Sequence, residues 1–291
     1  MHTRLLVQPD DDARPLLDAI GAARRRIDMY IFRLAYPRLE QALAQAVQRG
    51  VEVRTLIAHT GSMGEEALRK LELRLLGLGA TVSRTDEDLL RYHGKMLVID
   101  AAELYVLGYN FTRRDIDRSR SLGIATRDPA LVAEGLRLFE ADFTRRTYTA
   151  GLETFVVSPL NSRAALLALI EGAERQLLIY DPRLSDNLMQ AALEKRALAG
   201  VEVRVIGKVE KRLQAVQAER FPGERLHVRA IVQDGRRAFV GSQSLRRAEL
   251  ERRREIGVIV DDRPVIAGIV EVFERDWART PSGASGAARA G

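Results

Sequence analysis

The chain repeats itself. Leu6-Val7-Gln8-Pro9 matches Val156-Val157-Ser158-Pro159, the segment Ala22–Tyr30 matches Gly172–Tyr180, and Arg49–Arg54 matches Ala199–Arg204. All three pairs share one gapless offset of 150 positions. A common register of this kind marks a duplicated unit, so whatever fold is chosen must be built twice. The 291 residues suffice for one large core or two small ones. Residues 1–150 are read as the first repeat and 151–280 as the second. Residues 281–291 are small and rich in Gly, Ser and Ala, and are expected to be a disordered tail.

Each copy reads as strand, helix, strand, helix, strand. In the first, Leu5–Gln8 is a short apolar strand, and Arg14–Arg24 is a helix with Leu16, Leu17 and Ile20 on one face. Ile27–Phe32 is a strand. Pro37–Gln48 is a helix striped by Leu39, Leu43 and Val47, with a tolerated first-turn proline and a stop at Gly50. Val51–Ala58 is a further strand, and the spacing of Gly61–Leu76 is helical. The second copy is shorter here, so the later offset falls to 134. Helices over Pro129–Thr144 and Pro264–Trp277 close the two copies. Strands alternating with helices imply an α/β class with mostly parallel sheets.

The chemistry sits in a strand pair of each copy. The first holds His93-Gly94-Lys95, Asp100 and Leu107-Gly108-Tyr109-Asn110; the second holds His227-Val228-Arg229, Asp234 and Gly241-Ser242-Gln243-Ser244. Residues two apart on a strand point the same way, so His93 shares a face with Lys95 and His227 with Arg229. A histidine beside a fixed cation suits a phosphate. The cation neutralises phosphoryl charge, and the imidazole can attack phosphorus or move a proton.

These motifs resemble the phospholipase D superfamily, whose signature is His-x-Lys-x4-Asp followed by a Gly-Ser/Thr-x-Asn turn. The resemblance spans nearly the whole chain. The run Met96–Asp100 and the turn Gly241-Ser242 look most like the bacterial cardiolipin and phosphatidylserine synthase branch. The resemblance implies two pseudo-twofold-related α/β/α halves with one active site at their interface. It implies His93 as the nucleophile that forms a phosphohistidine and His227 as general acid and base. Lys95, Arg229, Asn110, Ser244 and Ser242 would hold phosphate oxygens, with Asp100, Asp234, Gly108 and Gly241 in support. No metal and no cofactor are expected.

The departures carry weight. Arg229 stands for lysine, keeping the charge and adding a bidentate fork. Ser244 stands for asparagine and is a weaker clamp. Gly108 stands where the family has a hydroxyl, leaving only backbone donors there. Relatives place a carboxylate after the second motif that orients the opposite histidine. Glu255 fits that place and, by the family's crossed pairing, serves His93; its counterpart in the first copy is Ser121. Asp115 or Asp117 is the candidate partner for His227.

Blander readings stand beside these. Asp100 and Asp234 lie at a strand-to-turn junction and suit turn capping. Gly108 and Gly241 suit close packing. Tyr30 and Tyr180 recur at one strand end and suit either a pocket floor or the core. His59 and Lys208 sit near strand ends where such sheets bind ligands. The arginine runs 24–26, 113–114 and 252–254 read as solvated faces, with Arg113 and Arg114 the best candidates for a cationic rim. Gly61-Ser62-Met63-Gly64 lacks the lysine and hydroxyl spacing of a phosphate loop.

The chain has no cysteine, which excludes disulfides and thiolate metal sites and favours a reducing, cytoplasmic setting. Met1–Leu6 reads as a polar lead into a strand and not as a signal peptide. No stretch nears the roughly 18 apolar residues of a spanning helix, so any membrane contact is expected to be peripheral. The net charge of +6 and pI of about 9.8 suit phosphate-bearing partners. A phospholipid phosphodiesterase or phosphatidyltransferase is the leading reading. A nuclease acting on DNA or RNA is the second, although basic-aromatic interleaving for stacking single strands is lacking. A degenerate binder of phosphodiesters without turnover is the third. The duplication removes the usual need for a dimer, so a monomer suffices.

Overall fold

The computed structural model describes residues 3–60, 64–223 and 225–290. Two seven-stranded sheets carry the chain. The first holds β1 (Thr3–Gln8), β2 (Arg26–Ile31), β3 (Glu52–Ile57), β4 (Thr81–Arg84), β5 (Met96–Ile99), β6 (Glu103–Leu107) and β7 (Ser121–Thr126). The second holds β8 (Phe155–Val157), β9 (Gln176–Leu184), β10 (Glu202–Val209), β11 (Val216–Glu219), β12 (Ala230–Gln233), β13 (Arg237–Gly241) and β14 (Ile256–Val260). Their spatial orders are β1-β7-β6-β5-β2-β3-β4 and β8-β14-β13-β12-β9-β10-β11. The sequence repeat is thus a repeat of topology.

The expectation of mostly parallel sheets needs correction. Only β2–β3–β4 and β9–β10–β11 run parallel; the other neighbours are antiparallel. The motif strands cause this. A parallel pair needs a long crossover, whereas β5 and β6 are joined by the tight turn at Asp100, and β12 and β13 by the one at Asp234. Each aspartate takes a positive φ (53° and 54°). Asp100 accepts the backbone N–H groups of Arg24, Arg25 and Arg26 at 2.9, 2.7 and 2.9 Å. Asp234 does the same for Glu174, Arg175 and Gln176 at 2.9, 2.7 and 2.8 Å. The third residue of each motif therefore ties its hairpin to the neighbouring strand.

Alternation along the strands divides the core. Ile27, Met29 and Ile31 face α1 (Arg14–Ala22), α2 (Pro37–Gln48) and α3 (Glu65–Gly77) on the outer side of the first sheet. Tyr30 faces inward with Met96, Val98, Leu104 and Val106, against Leu138 and Phe139 of α4 (Pro129–Phe143). In the second copy, α5 (Ser162–Glu171) and α6 (Asn187–Leu198) cover the outer face. Ile266, Ile269 and Phe273 of α7 (Arg263–Trp277) lie inside. The inner faces of both sheets, with α4 and α7, form one continuous core.

The disordered tail expected at 281–291 also needs correction. Pro281–Ala290 form a helix, α8. Its proline needs no N–H partner in the first turn. The Thr280 hydroxyl accepts the Gly283 N–H at 3.2 Å, and Ser282 bonds Glu219. The turn at Gly61-Ser62-Met63 lies outside the described residues.

Two buried clamps cross the inner core. Asp142, in α4, accepts the Tyr30 hydroxyl at 2.9 Å and Arg254 of the other copy at 3.0 Å on each oxygen. Asp276, in α7, accepts the Tyr180 hydroxyl at 2.6 Å and Arg120 at 3.0 and 3.3 Å. Removing one partner of a buried ion pair leaves an uncompensated charge, at a cost of about 3–5 kcal/mol. Asp142→Ala is therefore expected to lower the unfolding free energy by about that amount in urea denaturation; an unmoved midpoint would contradict the clamp.

Candidate active site

His93 and Lys95 lead into β5, and His227 and Arg229 lead into β12. Each histidine is held by the opposite copy. The His93 N–H donates to Arg254 O at 2.7 Å, and the His227 N–H to Arg120 O at 2.9 Å. Those arginines are the ones fixed by the clamps. All four motif side chains are buried, Lys95 completely.

On the His93 side, Nδ1 lies 2.8 and 3.0 Å from the two oxygens of Glu255. A carboxylate there puts the proton on Nδ1 and leaves Nε2 bare. The Lys95 ammonium sits 2.9 Å from Nδ1 and 3.0 Å from Nε2. Burial, reinforced by Lys95 and Arg229, pushes His93 well below the ordinary histidine range. Burial also brings Lys95 down to about 7 and raises Glu255. Ser242 differs from expectation. Its hydroxyl accepts the Ile256 N–H at 3.1 Å and contacts Ile256 O at 3.3 Å, so it braces the backbone beside Glu255.

The His227 side is less complete. Ser121 occupies the place of Glu255, and both its hydroxyl and His227 Nδ1 lack a hydrogen-bond partner among the described residues. The Asp115 carboxylate stands 3.7 Å from that Nδ1, an ion-pair distance too long for a hydrogen bond. Asn110 anchors Asp115 through its side-chain amide at 2.6 Å and its backbone N–H at 3.1 Å, and Arg225 pairs with it. Burial works against the Asp115 charge, yet His227 and Arg225 hold the carboxyl down to about 2. Burial, then Arg229, keeps His227 well below its usual range, with Asp115 opposing.

The copies interpenetrate at the motifs. Arg229 donates to Ser244 Oγ at 3.3 Å and to His227 O at 3.1 Å, and reaches Gly108 O of the first copy at 3.5 Å. A Cβ on Gly108 would sit 2.9 Å from Leu122 O and 3.0 Å from Gly241 O, so the two turns meet only because there is no side chain. A Cβ on Gly241 would sit 2.6 Å from Gly257 Cα. The cation of each copy depresses the histidine of the other: Arg229 acts on His93, and Lys95 on His227.

Other residues fall elsewhere. Tyr30 and Tyr180 belong to the clamps. His59 bonds Thr85 at 3.2 Å and edges the Tyr92 ring. Lys208, Arg113 and Arg114 are exposed. Of the run 252–254 only Arg252 is exposed: Arg254 is buried, and Arg253 lies 3.9 Å from Glu255. Among the described residues no cluster of His, Asp and Glu could hold a metal ion.

A family model described as the cardiolipin synthase, phospholipase D-like domain matches residues 16–143 and again 166–277. The mitochondrial cardiolipin hydrolase of Homo sapiens is 31% identical over 130 residues, which are 45% of this chain and 48% of that protein. The chain thus spans about half the length of the curated relatives it matches. The polyphosphate kinase structure from Porphyromonas gingivalis overlays 94% of this chain and 50% of its own at a TM-score of 0.76 and 19% identity. Phosphatidylserine synthase of Haemophilus influenzae overlays 94% of this chain and 85% of its own at a TM-score of 0.69 and 11% identity. At such identities these two structures speak for the fold.

The buried, neutral imidazoles have a pH signature. A histidine with a depressed folded pKa takes up its proton on unfolding, so it weakens the fold as pH falls through about 6.5. The stability of His227→Gln relative to the unsubstituted protein is therefore expected to rise from about pH 7.5 to about 5.5. A difference that stays level across that range would contradict the burial of a neutral ring.

Proposed function

The chain belongs to the phospholipase D superfamily, whose members are usually phosphodiesterases or phosphatidyltransferases, and from that premise we propose that it cleaves or exchanges phospholipid phosphodiesters through His93 and His227. The observation that carries this reading is the His93–Glu255 pair formed across the two copies. It leaves Nε2 of His93 unprotonated, with the Lys95 ammonium 3.0 Å away.

In the proposed reaction, His93 Nε2 attacks phosphorus and a P–N bond forms as the P–O bond to the leaving alcohol breaks. His227 donates the proton that this alkoxide takes. Water or a second alcohol then gives its proton to His227 and attacks phosphorus, and the P–N bond breaks. Lys95 and Arg229 offset the charge on the non-bridging oxygens. Asn110 and Ser244 line the same place. Asp115, 3.7 Å from His227, stabilises the imidazolium that the cycle requires.

The net charge of +6 favours nucleic acid as the second substrate class, so both belong in one assay. With chelator present, the protein is expected to release or exchange headgroups on phosphatidylglycerol vesicles supplied with an alcohol, and His93→Ala to lose at least about 10³-fold in kcat. Cleavage of labelled DNA or RNA without lipid turnover would transfer the reading to a nuclease. Turnover on neither would sink it.

The profile of kcat/KM is expected to be bell-shaped, since one imidazole starts neutral and the other protonated. Because His227 is depressed, the optimum should lie on the acid side of an ordinary histidine, about 6.5. A rate that climbs into alkaline solution would contradict these roles.

A further inference from the structure

The duplication allows each motif turn to be compared with its mate. In the first copy the turn Asn110-Phe111 is held through two backbone donors. The Asn110 N–H donates to the Asp115 carboxylate at 3.1 Å, and the Phe111 N–H to the backbone carbonyl of Arg33 at 3.1 Å. In the second copy the mates are Ser244 and Leu245. The Ser244 N–H donates to Glu249, the mate of Asp115, at 2.8 Å. The Leu245 N–H donates instead to the carboxylate of Asp181, at 2.6 Å. An ionisable side chain, at a position that is Ile31 in the first copy, has taken the place of a backbone acceptor.

The local backbone explains the exchange. β9 pairs with β10 up to Asp181 opposite Gly207 and resumes at Leu184 opposite Val209, so Pro182 and Arg183 together face Lys208. A bulge of this kind re-aims a side chain. Gly207 permits it, because a Cβ there would sit 1.7 Å from the Asp181 carbonyl oxygen. The buried Asp181 carboxylate then gives each oxygen to a separate donor. Oδ2 accepts the Leu245 N–H, and Oδ1 accepts the Arg183 N–H at 2.8 Å. Neither the protonated acid nor an amide can replace it without loss, since each keeps only one full acceptor oxygen. The turn so held carries Ser244, whose hydroxyl accepts the Arg229 Nε–H at 3.3 Å. Asp181, Glu249, Ser244 and Arg229 are all buried. Burial raises Asp181 to about 6; the two N–H groups and Arg229 oppose the rise, and Glu249 adds to it.

We infer that Asp181 is a positioning residue for phosphate binding: by fixing Leu245 it holds Ser244, and through Ser244 the guanidinium of Arg229, in place for the non-bridging oxygens of the substrate. This rests on the reading above in which Arg229 and Ser244 meet the phosphate. The charge and the hold of Asp181 act in opposite senses. On charge alone, a buried carboxylate beside Arg229 competes with an incoming anion, so removing it would tighten anion binding. Its hold on the turn works the other way. The sign of the effect therefore separates the two.

The probe is inorganic sulfate, whose charge stays constant over the range used, titrated against the full chain at about pH 7.5 and about pH 5.0. Asp181→Asn is expected to bind sulfate about ten-fold more weakly than the unsubstituted protein at the higher pH, the worth of one hydrogen bond to a charged group. The ratio should approach one at the lower pH, where Asp181 is itself protonated. In a double-mutant cycle, Ser244→Ala should remove most of the effect. Unchanged or tighter sulfate binding by Asp181→Asn would overturn the inference. So would a ratio level with pH, which a merely structural residue would give. The unsubstituted protein supplies a check that needs no variant to fold: its Leu245 amide resonance should titrate with a midpoint of about 6, and a resonance that stays level would overturn the inference too. Arg229→Gln and Ser244→Ala test the reading beneath it. Unchanged sulfate affinity in both, or no sulfate binding by the unsubstituted protein, would sink the phosphate site and this role with it. Loss in both without loss in Asp181→Asn would overturn the role of Asp181 alone.

Discussion

The two buried arginine–aspartate clamps hold the site together. Arg254 is fixed by Asp142, and Arg120 by Asp276. The carbonyls of these same arginines receive the backbone N–H groups of His93 and His227. Each histidine therefore hangs from the opposite copy. The inner core brings the two sheets together, but hydrophobic contact is non-directional. The clamps supply direction, because a bidentate arginine–carboxylate pair fixes orientation as well as distance.

On this symmetric frame a few substitutions create two unlike histidines. Glu255 serves His93, and Ser121 leaves His227 without the equivalent bond. Asp115 makes a longer electrostatic substitution, itself held by Asn110 and Arg225. In the proposed reaction His93 starts neutral, and it is the ring with the firm carboxylate contact through Nδ1. His227, which in that proposal cycles a proton, has the looser one. A duplicated fold can diverge in this way because the clamps and the shared core do not depend on the edited positions.

Much of this was legible in sequence because it is local or periodic. The 150-residue repeat, the helices striped by leucine and the paired His-x-Lys/Arg motifs all lie within short windows. The crossed service of His93 by Glu255 came from family resemblance, not from spacing. Other features were hidden for physical reasons. Asp142 and Asp276 lie near the ends of amphipathic helices, where carboxylates are ordinarily solvated, and only the tertiary fold buries them. Arg254 sat within a run that reads as surface. The strand–helix alternation points to mostly parallel sheets and does not reveal that the motif strands run antiparallel, although Asp234-Gly235 is a strong hairpin signal. Its counterpart, Asp100-Ala101, takes the same positive φ angles without the glycine that would reveal it.

The two imidazoles are held to act in sequence on one phosphorus, and trapping the step between them tests this most directly. His227→Asn, mixed with a phosphatidyl substrate and acid-free quenched, would be digested and searched by mass spectrometry for a phosphoryl-linked histidine peptide. The account requires an adduct on His93 that builds up in this variant and is absent from His93→Asn. An adduct on His227, or turnover by His93→Asn, would contradict it.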